Sequence, residues 1–208
     1  MRRAASLVLS AALAAFPVMA SVEEPRFETV RQSGDFEVRR YAPMIVAETF
    51  VEGDLSSASG DGFRVIAGYI FGDNVAAKGA GSEKVAMTAP VTMEAGSEKV
   101  AMTAPVTVES AGSRYRMHFV MPSQYTMDTL PRPRDGRVKL REIPAQRMAV
   151  IRFSGLAGDE KVKAKTGDLL AWMKDEGLTP AGAPQLARYD PPWTLPFLRR
   201  NEVMIPVN

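Results

Sequence analysis

The chain has 208 residues, with 26 Lys and Arg against 24 Asp and Glu, one His and no Cys. Without Cys there is no disulfide, no thiolate metal ligand and no lipid-modified cysteine. A charge so close to balance leaves no electrostatic footprint for nucleic acid or an anionic membrane.

Arg2 and Arg3 precede an apolar run of small side chains, Ala4–Phe16, and Pro17-Val18-Met19-Ala20 offers a small residue at a cut site. This pattern predicts a secretory signal peptide cleaved after Ala20. The run falls short of the roughly 17–25 apolar residues that a membrane-spanning helix needs. Removing Arg2 and Arg3 balances the remaining charges. The expectation is an exported protein, periplasmic or secreted, with no stable membrane insertion, whose residues 21–208 form one domain.

Arg26–Gln32 and Phe36–Tyr41 read as strands around the turn cluster Ser33-Gly34-Asp35, and Met44–Val51 as a third strand. Leu55–Phe71 reads as the first helix, with Phe63, Ile66, Ala67, Ile70 and Phe71 on one face. Gly60 and Gly62 weaken its N-terminal half. A repeat follows: GSEKVAMTAPVT occurs at Gly81–Thr92 and again at Gly96–Thr107, fifteen residues on. Each copy alternates as a strand would, and Ala95-Gly96-Ser97 between them suggests a hairpin. The repeat reads as a tandem duplication that inserted an extra hairpin. Pro90 and Pro105 cannot donate to a ladder and belong at an edge or bulge.

Arg114–Met121, Arg137–Ile143 and Gln146–Ser154 are further strands. Asp159–Glu176 is the second helix, with Asp159 as N-cap and Gly177 as the stop. Its apolar face is Val162, Leu169, Leu170 and Met173. Pro184–Tyr189 and Asn201–Val207 close the chain as strands around a Pro-rich loop. Val38–Gly53 aligns without gaps to Leu140–Gly155, and each is two strands leading into a helix. Two β-β-α-β halves sharing one antiparallel sheet is the simplest architecture, an α+β fold.

Several stretches together resemble one family. FEVRRYAP (Phe36–Pro43), GFRVIAGYIFG (Gly62–Gly72), the MTAPV block and YDPPWTLPFLRRNEV (Tyr189–Val203) are similar, in order, to motifs of the SOUL haem-binding proteins. The resemblance covers nearly all of Phe27–Val207. It implies a twisted antiparallel sheet or barrel flanked by two helices, similar also to effector-binding domains of the gyrase-inhibitor type. It further implies a pocket between the first helix and the C-terminal loop, with basic side chains at its rim. Carried onto this chain, the cofactor-binding set is Phe63, Arg64, Ile66, Ala67, Ile70, Phe71, Met87, Tyr189, Trp193, Phe197, Arg199 and Arg200. A His proposed as haem ligand in one branch corresponds to Arg40, so His ligation does not carry over.

The residues themselves give no catalytic or metal constellation. His118 falls on the strand face shared by Arg116 and Val120, which reads as a surface or hydrogen-bonded position. One His without Cys does not make a zinc site. Haem iron accepts thioethers, but Met87 and Met102 alternate as strand core. Haem needs no protein axial ligand to bind. Burying on the order of 300–400 Å² of macrocycle yields roughly 8–10 kcal/mol gross, and association costs at least about 4 kcal/mol of it. The preferred reading is a carrier or buffer that binds haem or another tetrapyrrole non-covalently. The alternatives are a module for a different amphipathic molecule, and a small-molecule hydrolase using Glu202. There is no nucleophile elbow, P-loop or dinucleotide turn.

Overall fold

The computed structural model describes residues 22–95 and 114–208. The second copy of the repeat and the proposed signal segment lie outside these residues. In chain order the elements are β1 (Phe27–Ser33), β2 (Phe36–Tyr41), β3 (Met44–Glu52), α1 (Leu55–Ile70), β4 (Asn74–Val75), β5 (Val91–Ala95), β6 (Arg114–Val120), β7 (Arg132–Pro133), β8 (Lys139–Ile143), β9 (Gln146–Ser154), α2 (Asp159–Asp175), β10 (Gln185–Arg188) and β11 (Arg200–Val207). A one-turn 3-10 helix, Pro196–Leu198, sits in the last loop.

Nine strands form one sheet in the order β1-β2-β9-β11-β10-β5-β6-β3-β8, and its ladders are antiparallel. The order is symmetric about β10 and β5. β2 pairs with β9 at one side, and β3 pairs with β8 at the other. Yet only Ala42-Pro43 joins β2 to β3, and only Pro144-Ala145 joins β8 to β9. Such a link spans at most about 11 Å. The two ends of the sheet must therefore meet, which curls it into a half-barrel with a convex and a concave face.

The helices cover the convex face, α1 over β3 and β6, α2 over β9 and β11. Between them lies the main core, including Ile66, Tyr69, Ile70, Met117, Phe119, Ile151, Leu169, Met173, Val203 and Ile205. Alternation along each strand sends one set of side chains to this core and the other into the concavity. Gly62 is where α1 approaches the sheet most closely, since a Cβ there would stand 2.8 Å from Met117 Sδ. That residue weakens the helix locally and permits its docking.

Most elements fall where the sequence predicts them, and the differences have local causes. Only Val91–Ala95 of the first repeat copy is a strand. Val85 to Ala89 packs as irregular chain, with Val85 and Ala89 buried. β8 begins at Lys139 because Asp135 and Arg137 close a turn before it. α2 is capped by Gly158 rather than Asp159, and Asp159 and Glu160 instead place negative charge in the first turn. Leu170, assigned by its spacing to the apolar face of α2, is exposed. No helix among the described residues is long and apolar enough to cross a membrane.

Candidate functional site

The concave face is built around one carboxylate. Glu202 on β11 is fully buried and accepts five hydrogen bonds. Arg39 Nη1 and Nη2 donate at 2.8 and 3.1 Å, Tyr189 Oη at 2.7 Å, and Arg200 Nε and Nη2 at 3.0 and 2.9 Å. Arg39 is itself 2% exposed and also donates to Glu37. Burial opposes its charge, but the hydrogen bonds to Glu37 and Glu202 outweigh burial and raise its pKa. Burial and the adjacent Glu202 push the Tyr189 phenol far up, so it stays a proton donor. Glu202 is thus the hub of a structural network. Its two oxygens are shared among five donor atoms from three side chains.

Across the concavity, His118 on β6 is 5% exposed rather than at the surface. The face assignment holds, because Met117 and Phe119 point to the core and His118 does not. Closure of the sheet turns its second face into an interior. Burial drops the His118 pKa to about 3, helped by the charges of Arg116 and Arg141, so the ring is neutral at neutral pH. Its Nδ1 has no hydrogen-bond partner.

Two cavities open on this side. One, of about 670 Å³, lies at the corner where β2–β3 and β8–β9 cross, lined by Pro25, Met44, Ile45, Tyr125 and Ile143 with Glu23, Glu24 and Glu142 at its edge. The other is a cleft of about 30 Å³ deeper in the half-barrel. Of the twelve residues taken from the sequence as cofactor contacts, only Tyr189 lines either one.

The structure divides that set. Ile66 and Ile70 are buried against the sheet and belong to the core, and Ala67 is half-buried. Arg64 is exposed and paired with Asp61. Arg200 is committed to Glu202 and Glu24. Arg199 donates to the carbonyls of Thr194 and Pro192, pinning the loop from within. Phe63, Phe71 and Met87 are 40%, 57% and 42% exposed, and Trp193 and Phe197 reach 82% and 70%. With Leu156, Leu195 and Leu198 also more than half exposed, residues 193–198 present an unusual density of uncovered apolar side chains.

One cation here was not among the sequence candidates. Arg188, at the end of β10, is half-buried and forms no ion pair among the described residues. Its guanidinium donates instead to Ser59 Oγ on α1 at 2.8 Å and to the Ala157 carbonyl at 2.9 Å. Desolvation, and after it the nearby charge of Arg199, lower its pKa against the opposing charge of Asp159. The Ser59 contact ties α1 to the root of the C-terminal loop, and Phe63 lies one turn further along the same helix face. Alternation on β10 gave no signal for Arg188, because its charge reads as an ordinary strand terminus.

The family model described as SOUL heme-binding protein matches residues 22–206. No curated protein sequence matches the chain. The C-terminal domain of EcmrR superposes with a TM-score of 0.59 at 14% identity, over 83% of this chain and 96% of that one. An EcmrR–DNA complex gives 0.58 at 14% identity, over 83% and 57%. A hydrolase from Listeria innocua gives 0.55 at 14% identity, over 84% and 92%. At such identities these structures share the fold, an α+β arrangement of effector-binding type, and nothing finer. The family match spans nearly all of the described fold, and the chain belongs to the SOUL heme-binding protein family.

Proposed function

We propose that this protein is an exported carrier or buffer for haem or a related tetrapyrrole, held non-covalently beside α1 and the 189–200 loop. Family membership supports the ligand class. The observation that carries the location is Arg188: a half-buried cation that forms no ion pair among the described residues, near Arg199 and at the foot of an exposed aromatic loop. A cation desolvated beside another cation is stabilised by an arriving anion. Propionates are such anions, and Trp193, Phe197 and Phe63 offer faces for the macrocycle. No His or Cys stands among these residues, consistent with binding that needs no protein axial ligand.

The test is a haemin titration of the protein from Ser21, followed by the Soret band. A saturable shift at one equivalent is expected. Arg188→Gln should weaken binding about tenfold, the cost of one hydrogen bond to a charged group. Ser59→Ala, which removes a partner of Arg188 but not its charge, should stay within about threefold. Unchanged affinity in Arg188→Gln places the ligand elsewhere. The corner cavity of about 670 Å³ favours a second reading, since it is within the usual size range for small-molecule sites. Its edge, with Glu23, Glu24 and Glu142 against Arg26, suits a neutral or cationic amphipathic molecule better than a dicarboxylate.

A further inference from the structure

The 30 Å³ cleft of the half-barrel is unlike the corner cavity in size and in chemistry. It is lined from both halves of the sheet, by Tyr41, Met44, Thr92, His118, Met148, Gln185, Tyr189 and Met204 among others. No Asp, Glu, Lys or Arg lines it. A volume of that order holds about one water or one ion and excludes a macrocycle. Met148 is 1% and Met204 6% exposed, and both pack in one cluster with Tyr41, Met44 and Tyr189. Three thioethers and one imidazole therefore share the wall of a single ion-sized space.

His118 has no structural occupation that accounts for it. A buried ring nitrogen without a partner costs about as much as a lost hydrogen bond. Two phenols of the cleft are engaged elsewhere, since Tyr189 donates to Glu202 and Tyr41 to Met204 Sδ at 3.7 Å. The described residues contain no cluster of three or more His, Cys, Asp or Glu, the groups that would hold a hard or borderline ion. Neutral sulfur and neutral imidazole select instead for a soft, singly charged ion.

We propose that the cleft is a site for one soft monovalent metal ion, Cu(I) or its stand-in Ag(I), with His118 and the thioethers of Met44, Met148 and Met204 as the donor set. The ion arrives and leaves as the monovalent cation, so no redox step is involved. Its charge is solvated by sulfur and nitrogen lone pairs, and the two arginines whose charges reach His118 are each paired with a carboxylate, Arg116 with Glu94 and Arg141 with Glu48. The donor set shares no residue with the proposed haem contacts Arg188, Trp193, Phe197 and Phe63, although Tyr189 at the start of the 189–200 loop lines the cleft.

The test is an anaerobic Cu(I) titration of the protein from Ser21 against a chromophoric Cu(I) chelator. One equivalent should be withdrawn from the chelator. Met148→Leu and Met204→Leu, which conserve volume, and His118→Gln should each weaken Cu(I) binding at least tenfold. Met127→Leu, at an exposed site outside the cleft, should leave it within twofold. With Ag(I), the methyl resonances of Met44, Met148 and Met204 should shift together at one equivalent while that of Met127 does not. Parent-like Cu(I) affinity in all three cleft variants would overturn the proposal, as would an equal loss in Met127→Leu, or no withdrawal from the chelator. Haemin titrations of the same variants should match the parent, so failure here is distinguishable from failure of the haem reading.

Discussion

At the scale of single residues, the interior of the half-barrel turns on two polar groups. Glu202 balances a guanidinium that is almost wholly buried. Removing one partner of such a pair leaves an uncompensated charge, at a cost of about 3–5 kcal/mol. Glu202→Ala should lose that much in denaturant unfolding. A loss below about 1 kcal/mol, the ordinary worth of an exposed pair, would mean the network does not hold the concave face together. His118 couples stability to pH. Its folded pKa is about 3 against the ordinary 6.5, so between those values the unfolded chain binds the extra proton. The stabilisation is complete above 6.5 and is lost as pH falls through this window. From pH 7 to pH 5 the loss is about 2 kcal/mol, at roughly 1.4 kcal/mol per unit below the unfolded pKa. Metal-free His118→Gln should show a stability difference between the two pH values smaller by that amount. An identical difference in the two proteins would show that the imidazole is not held neutral. The identity of His118 as the lone His was visible in the sequence, but its burial was not. Alternation assigns a face, and only closure of the sheet says whether that face sees water.

At the scale of elements, the C-terminal loop separates packing from recognition. Its backbone is fixed by Pro191, Pro192 and Pro196 and by the Arg199 bonds to its own carbonyls, while Trp193 and Phe197 stay uncovered. A loop ordered before binding loses less entropy on closing over a ligand. Trp193→Ala should therefore weaken haemin binding about tenfold or more, a loss of about 1.4 kcal/mol or above, with the protein still folded. Haemin should quench Trp193 emission more than that of Trp172, which lies on α2 and stacks on Phe36 of β2 at 5.2 Å. Equal quenching of both would remove the loop from the site. The aromatic character of this loop was legible from the sequence. The cation that accompanies it was not: Arg199 and Arg200 stood out as a basic pair, yet Arg199 is tied to the carbonyls of its own loop and Arg200 to Glu202, while Arg188, half-buried and bonded to Ser59, gave no signal.

At the scale of the whole molecule, export and architecture rest on different kinds of information. The proposal that residues 1–20 are a signal peptide predicts Ser21 as the first residue of protein recovered from its native host. N-terminal sequencing that returns Met1 would remove export from the functional reading. For the fold, periodicity alone located the two helices and most of the strands, because a half-buried strand and an amphipathic helix each write their period directly into the chain. The weak likeness between Val38–Gly53 and Leu140–Gly155 even marked the two halves. What it could not supply was pairing. β2 lies beside β9 and β3 beside β8, through pairings such as Phe36 with Ile151 and Met44 with Ile143 that local pattern does not encode.

The sequence by itself therefore determined most of the elements and the family, whose membership suggests the class of ligand, since period, turn chemistry and ordered motifs are local properties of the chain. Tertiary structure decided which face became an interior, which arginine was drawn half-buried against α1, and which side chains share a cleft. Those depend on two-residue links forcing the ends of a nine-stranded sheet together. The concave wall that results, with Glu202 saturated and His118 unpartnered, exists only once the sheet has closed.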